Sequence, residues 1–418
     1  MTYEFALDYM EEVQKKGSIL GLDAILELLK RLHNPQNQLR VIHVAGTNGK
    51  GSICTFLEQL YKSEGKCVGR YISPTIHCYL ERFQIDGRYM KESEFVTIFE
   101  TVYPVLEQMQ AEGCLLPTAF EIETVIAFLF FLKKNVDIVI LETGMGGRED
   151  ATNVVCHPLC TVFASIGMDH MQFLGNTLEE IAYAKAGIIK KDTPVVTYPN
   201  AECVQQVLRD EIEKVNGVDI KNLHKMFCTV KEEEIAIEEE MLTGSRFRYL
   251  GQTYEISLGG RYQIYNAVTA IQTKLLLDGH VNKEALKDVK WEGRFEIIGT
   301  NPLFIRDGAH NIDGVRALKE SLEKHFTNRD LIFIIGVLRD KEYEKMMKEL
   351  CPLASRVFTI TPPVERGLQA DILADAVRPY CKEVQAMPSL SMAMEQALEY
   401  KQSVVVAWGS LSYLGQIK

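Results

Sequence analysis

The chain has 418 residues, 46% hydrophobic and 25% charged, a composition that supports well-buried cores and excludes a disordered polymer. Single cores stop growing near roughly 250–300 residues, so two domains are expected. With 46 Lys and Arg against 57 Asp and Glu the net charge is −11, which excludes a general attraction to nucleic acid or anionic membrane, so a phosphate ligand must be gripped by local geometry.

The opening MTYEFALDYMEEVQKKGS is acidic where a signal peptide needs a basic stretch and an apolar core. No apolar run reaches the ~20 residues of a membrane span, and a cytoplasmic protein without membrane or nucleic-acid partners is expected. FALDYMEEV and LDAILELLKRL read as helices. VIHVAG then reads as a short buried strand entering the loop GTNGKGS, followed from Ser52 by a helix, ICTFLEQLYKSEG, ending at Gly65. CVGRYIS is a second strand, stopped by Ser73-Pro74. Two helices follow, one before Pro117 and one from Phe120 to Lys134. DIVILET is an apolar strand ending at Glu142, and LCTVFASIG another ending near Asp169 and His170. Strands alternating with helices imply a parallel sheet with its ligand edge at the strand C-termini, where Lys50, Ser73, Glu142 and His170 all fall.

From Phe227 to Leu258 charge alternates with apolar residues, a pattern of hairpin strands, and GRYQIYNAVTAIQTKLLLDG is a helix closed by Gly279. NKEALKDVKWEGRFEIIG reads as the junction. Beyond it LFIRD, LIFIIGV, RVFTI and SVVVAW alternate with helical patterns, giving a second α/β unit of about 120 residues. The expected division is 1–295 and 296–418. Ten cysteines are scattered singly; Cys156 and Cys160, in CHPLC, lack a nearby second Cys/His pair and read as thiols beside a strand rather than as a metal site.

A phosphate loop aims successive backbone N–H groups at one anion, with glycines permitting the conformation, a lysine on the outer phosphates and a hydroxyl near Mg²⁺. GTNGKGS meets each demand, while departing from GxxxxGK[ST] at Val44, in the first glycine position, and at Gly51, which follows Lys50. Its strand and helix context favours phosphate binding over a structural turn. Glu142, before the glycine turn of LETGMGGREDATN, is placed to ligate Mg²⁺, and on its own would serve equally as a helix cap or ion-pair partner. His170 and Lys185 stay open at this level, because histidine is an unusual Mg²⁺ ligand and a lysine among small residues can reach back to water. Asp307 in DGAHN and Arg294 in GRFE are ordinary loop charges taken singly.

GTNGKGS, SPTIHCYLERFQIDG, TAFE, ETGMGGREDATN, IGMDHMQFLGNTLEEIAYAKAGIIK, GRFE and DGAHN occur in this order across residues 46–311. Together they make the chain resemble the folylpolyglutamate synthases, including bifunctional dihydrofolate synthases, of the Mur ligase family. The resemblance spans nearly the whole chain, the last hundred residues matching mainly in pattern, and the family's loop is itself spelled GTNGKGS. It implies an α/β fold: an N-terminal P-loop ATPase-like domain with a parallel sheet and the folate site, and a smaller Rossmann-like C-terminal domain closing on ATP and glutamate. It also implies ATP-dependent amide formation between a folate carboxylate and L-glutamate, through an acyl phosphate, by a monomer.

Position by position, Asn48, Gly49, Lys50, Gly51 and Ser52 match the family's phosphate loop, and Asn266, Arg294, Asp307 and His310 match positions around ATP. Ser73 and Glu142 match a first Mg²⁺ site; His170 and Lys185 match a second, the lysine being carbamylated in the family and so offering an anionic oxygen. Lys50, His170 and Lys185 are the expected catalytic set, a monovalent cation is a further expected cofactor, and Phe120, Glu121, Asp150 and Thr152 match the region touching the pterin. The chain departs from the family at Thr75-Ile76, where SPHL is common, and at Asp86, where asparagine is common. Both departures bear on pterin recognition and count against use of dihydropteroate; a bifunctional enzyme that takes dihydropteroate as well as folate stands as the alternative. A non-catalytic, ATP-dependent regulatory protein is the alternative from another class, against which Glu142, His170 and Lys185 speak together, since binding alone needs no second metal.

Overall fold

The computed structural model describes residues 1–15, 17, 21–217 and 226–417. The chain forms two compact units, the first from Met1–Pro74, Tyr79–Glu232 and Asn266–Ala285, the second from Thr75–Cys78, Glu233–Tyr265 and Leu286–Lys418. The division differs from a single cut at residue 295, because Thr75–Cys78 and Glu233–Tyr265 group with the second unit, as do residues 286–295 just before the cut. Pattern reading assigns each stretch to its neighbours in sequence and has no means of seeing such an excursion.

The first unit is built on β1 (Val41–Ala45), β2 (Val68–Tyr71), β3 (Phe83–Ile85), β4 (Arg88–Tyr89), β5 (Ile138–Glu142), β6 (Cys160–Phe163), β7 (Val195–Thr197) and β8 (Phe227–Thr229). Their order in the sheet is β4-β3-β2-β5-β1-β6-β7-β8. The pairings from β2 to β8 are parallel, while β3 and β4 add an antiparallel edge. β1 and β5 are buried at every position, which is why they read as unbroken apolar runs rather than alternation. Helix Ala119–Lys133 is buried on most of its circumference and joins Phe83, Phe95, Phe99 and Phe131 in one core.

β5 lies between β1 and β2 in the sheet. One detail departs from the sequence pattern. Phe227–Thr229 does not open a hairpin but pairs in parallel with β7, in the register Val195↔Phe227. A three-residue strand carries no periodicity from which its partner could be read.

In the second unit β9 (Ile235–Met241), β10 (Gly244–Tyr249) and β11 (Gln252–Ile256) form the expected antiparallel hairpins. β12 (Glu296–Thr300), β13 (Leu303–Asp307), β14 (Leu331–Ile335), β15 (Arg356–Thr359), β16 (Glu383–Ala386) and β17 (Val404–Trp408) form a six-stranded sheet ordered β12-β13-β17-β14-β15-β16. All its pairings except β12 with β13 are parallel. β14 and β17 are buried throughout. β16, spelled EVQA, is an edge strand that carries too few apolar residues to stand out in the sequence, and β12, the other edge, lies in the stretch read as the junction.

Candidate functional site

The phosphate loop leaves the C-terminal end of β1 and enters helix Lys50–Lys62. The helix therefore starts two residues earlier than its apolar pattern suggests, with Gly49 as N-cap and no side chain capping the first turn. Its leading N–H groups are left for an anion. Gly49 has φ +88, and a Cβ there would lie 2.4 Å from Asn266 Oδ1, so the expected ATP-site residue Asn266 packs directly on the loop. The loop is held from its other side by the segment after β6. Ser165 O accepts the Thr47 and Asn48 N–H groups at 2.7 and 3.1 Å, and the Thr47 hydroxyl donates to Gly167 O at 3.0 Å while accepting Gly167 N–H at 3.1 Å. Ser52 is buried in the first helical turn, and Gly51 lies beside it.

Lys50 folds back over this loop. Its Nζ donates to Gly46 O at 3.1 Å and Thr47 O at 3.3 Å, and lies 3.9 Å from Glu142 Oε1. Glu142 ends β5 in register with Val44 of β1, which brings a buried carboxylate to the foot of the loop. Lys185, from helix Leu178–Ala186, arrives at the same place: its buried Nζ donates to Gly46 O at 2.9 Å. Two lysines thus share one carbonyl. Burial lowers the Lys185 amine to about 7, the Lys50 charge acting in the same direction, with Asp169 and Asp150 opposing. The glycines of GMGGR allow this approach, since a Cβ on Gly147 would lie 2.4 Å from Lys185 O.

Ser73 follows β2 at the same sheet edge, half-buried, with a cis peptide to Pro74. His170 follows β6, half-buried, in a left-handed conformation of φ 51, with its N–H on Asp169 Oδ1 at 2.8 Å. Among the described residues no three His, Cys, Asp or Glu side chains converge as a metal cluster, so metal sites of the expected kind would draw on Ser73 and on a lysine-derived oxygen as well.

Of the residues expected near the pterin, Phe120 packs on Gly144, where a Cβ would lie 2.5 Å from its ring. Glu121 is otherwise engaged: its Oε2 accepts Thr118 N–H at 2.7 Å and the Thr118 hydroxyl at 2.8 Å, a capping box that starts helix Ala119–Lys133. TAFE therefore carries a helix-start signal that the sequence reading passed over. Asp150 and Thr152 are buried and bonded to each other, and the hydroxyl of Thr152 meets His43 Nε2 at 2.8 Å. Thr47 and His43 were not singled out from sequence. A lone polar residue in the apolar run VIHVA was the available signal for His43.

Arg294, Asp307 and His310 belong to the second unit. Asp307 ends β13 and is buried; its Oδ2 accepts Phe295 N–H at 2.7 Å and the Tyr262 hydroxyl at 3.4 Å, and its Oδ1 accepts Ala309 N–H at 2.8 Å. Burial raises its carboxyl, against the pull of Arg294 and these donors. A Cβ on Gly308 would lie 2.2 Å from an Arg294 guanidinium nitrogen, and His310 Nδ1 is 2.7 Å from Gly308 O. The two conspicuous motifs GRFE and DGAHN are thus one folded cluster.

Residues 44–273 match the Mur ligase middle domain, and residues 293–411 match the Mur ligase glutamate ligase domain. The chain is 34% identical to the dihydrofolate synthase/folylpolyglutamate synthase of Bacillus subtilis (strain 168), over 100% of this chain and 98% of that protein. It is 31% identical to the folylpolyglutamate synthase of Lacticaseibacillus casei, over 87% of this chain and 86% of that one. The crystal structure of folylpolyglutamate synthase from Thermotoga maritima superposes with a TM-score of 0.84 at 33% identity, covering 99% of this chain and 95% of the other. Mycobacterium tuberculosis folylpolyglutamate synthase complexed with ADP gives 0.89 at 27%, covering 99% and 98%. With both domains matched in order and relatives aligned along nearly their full lengths, the chain belongs to the Mur ligase family, in the branch of the folylpolyglutamate and dihydrofolate synthases.

Proposed function

We propose that the chain is an ATP-dependent ligase that joins L-glutamate to the γ-carboxylate of a reduced folate, acting as a monomer in the cytoplasm. The observation that carries the reading is the meeting of Lys50, Lys185 and Glu142 at the Gly46 carbonyl. A lysine ammonium, a second lysine whose amine is lowered to about 7, and a carboxylate around an anion-binding turn suit a site that handles phosphate and metal rather than a structural bend.

A carboxylate resists attack because its leaving group would be oxide. Phosphorylation by ATP gives an acyl phosphate and ADP; the glutamate nitrogen then adds, and the tetrahedral intermediate expels phosphate. The loop N–H groups from Gly49 to Ser52, at the uncapped start of the helix, hold the transferred charge, and Lys50 leaves its carbonyl partners to follow the outer phosphate. Asn266 supports the loop at Gly49, and Arg294, Asp307 and His310 are assigned to ATP by their match to the family. Phe120, Asp150 and Thr152 form the acceptor side. Glu121 contributes there through the helix start it caps.

For Mg²⁺, a hard cation that prefers oxygen, Ser73 and Glu142 supply a fitting donor pair at the sheet edge. Lys185 as an ammonium has no lone pair to give, but an amine lowered to about 7 is substantially neutral at pH 7 and open to carbamylation, which would make it an oxygen ligand beside His170. Bound there, the metal would neutralise charge developing on the phosphates. A monovalent cation completes the proposed cofactors.

A bifunctional enzyme that also glutamylates dihydropteroate is the second reading, favoured by the double name of the Bacillus subtilis relative. ADP release with Mg-ATP and L-glutamate, compared for a reduced folate, dihydropteroate and no acceptor, with products weighed by mass spectrometry, separates the two. One glutamyl unit gained on folate alone supports the first reading, and gain on both supports the second. ATP bound with no gain on either overturns both in favour of a regulatory protein or another ligase substrate.

A further inference from the structure

β1 reads Val-Ile-His-Val-Ala, and its one polar residue, His43, is fully buried. An imidazole at that depth is costly unless hydrogen-bonded. Its Nε2 lies 2.8 Å from Thr152 Oγ1, which lies 2.5 Å from Asp150 Oδ1. Asp150 Oδ1 also accepts Thr152 N–H at 3.0 Å, and Oδ2 accepts Met145 N–H at 2.8 Å. Burial raises the Asp150 carboxyl, opposed by the Thr152 hydroxyl and by backbone donors; with an N–H on each oxygen the carboxylate form is the one these partners fit, and the Thr152 hydroxyl then gives its single proton to Asp150. His43 must then be the donor to Thr152. This sets the Nε2–H tautomer and leaves Nδ1, which meets no hydrogen-bonding partner among the described residues, as a bare acceptor, a smaller penalty than an orphaned N–H. Burial, seconded by the Lys190 charge, lowers the ring to about 3, so it stays neutral.

The relay therefore runs one way, from β1 through Thr152 to Asp150, and ends on the turn from Gly144 to Asp150 that follows Glu142. We propose that His43 is a positioning residue for the acceptor: by holding the Thr152 hydroxyl it fixes the Asp150 carboxylate and the glycine turn in the orientation that folate meets. The inference rests on the reading of Asp150 and Thr152 as part of the folate site. An ordinary core histidine would instead affect stability alone, because its partner would be a matter of burial and not of aim.

The test compares His43→Leu, His43→Gln, Thr152→Val and Asp150→Asn for thermal unfolding, kcat, and the KM values of the folate acceptor and of ATP. In His43→Leu the acceptor KM should rise at least about five-fold while the ATP KM stays within about two-fold, the mark of lost acceptor positioning. His43→Gln, which restores an N–H donor, should return the acceptor KM to within about two-fold of wild type, and Thr152→Val should add little to His43→Leu. An unchanged acceptor KM in folded His43→Leu, with a raised one in Asp150→Asn, overturns the inference and leaves the site reading standing. An unchanged acceptor KM in Asp150→Asn overturns the site reading itself. Should His43→Leu fail to fold, Thr152→Val and His43→Gln decide: a raised acceptor KM in the first with a near-normal one in the second supports the relay, and any other pattern refutes it.

Discussion

Replacing Lys185 by methionine should make the protein more stable while abolishing turnover. The Lys185 amine is buried against Gly46 O, and the Lys50 ammonium donates to the same carbonyl, so a second positive charge there is disfavoured and the amine falls from 10.5 to about 7. In the unfolded chain it regains a value of about 10.4. Between these two values unfolding takes up protons, and stability must rise with pH. At about 1.4 kcal/mol for each tenfold change in proton affinity, the buried lysine costs about 4 kcal/mol at pH 7 and about 2.5 kcal/mol at pH 8.5. Methionine keeps the length and flexibility without the charge. Allowing for the lost bond to Gly46 O, the variant should exceed wild type by about 2–4 kcal/mol at pH 7, with the gap narrowing by about 1.5 kcal/mol at pH 8.5. Urea unfolding of both proteins at both pH values, in buffer free of CO₂, reads that gap, and the comparison cancels thiols and phenols titrating in the same range. A variant no more stable than wild type, or a gap independent of pH, refutes the lowered affinity and the supply of neutral amine that a carbamate needs.

Two further changes probe the loop. Lys50→Ala should lower ADP release at least about 100-fold, the scale of a lost transition-state charge contact, while urea unfolding shifts by less than about 1 kcal/mol from the loss of a partly exposed side chain. Gly49→Ala places a methyl 2.4 Å from Asn266 Oδ1 at a φ of +88, and calorimetric titration should show ATP binding weakened at least about ten-fold, by distortion of the loop.

The strands that frame the ATP loop were legible because they are buried on both faces: VIHVA and IVILE announce themselves by composition alone. Lys50 was legible because its neighbours are glycines, and Glu142 because it interrupts an apolar run. What connects them was not. The shared Gly46 carbonyl depends on Lys185 arriving from more than a hundred residues away, and only the family resemblance pointed to that lysine. Glu121 carries a signal of another kind: Thr118 and Glu121 stand at capping-box spacing, so TAFE also marks a helix start beside the region matched to the pterin. His43 escaped because one histidine in a strand has no periodicity to break, and its meaning lies in Thr152 across the sheet. Likewise nothing in FCT distinguishes an edge strand of the large sheet from the first strand of a hairpin.

Asn266, which packs on Gly49, belongs to the first unit although Glu233–Tyr265, which precedes it in the chain, belongs to the second. On a ribosome adding about 5–20 residues per second, the phosphate loop would wait roughly 10–40 s for that partner. The first unit cannot be finished by the time its own sheet is complete; it must hold β1 through β8 while a piece of the other unit is synthesised. A nascent chain in this interval would gain little from cellular ATP as a folding ligand, and a fragment ending at Glu232 would carry the loop without the residue that braces it.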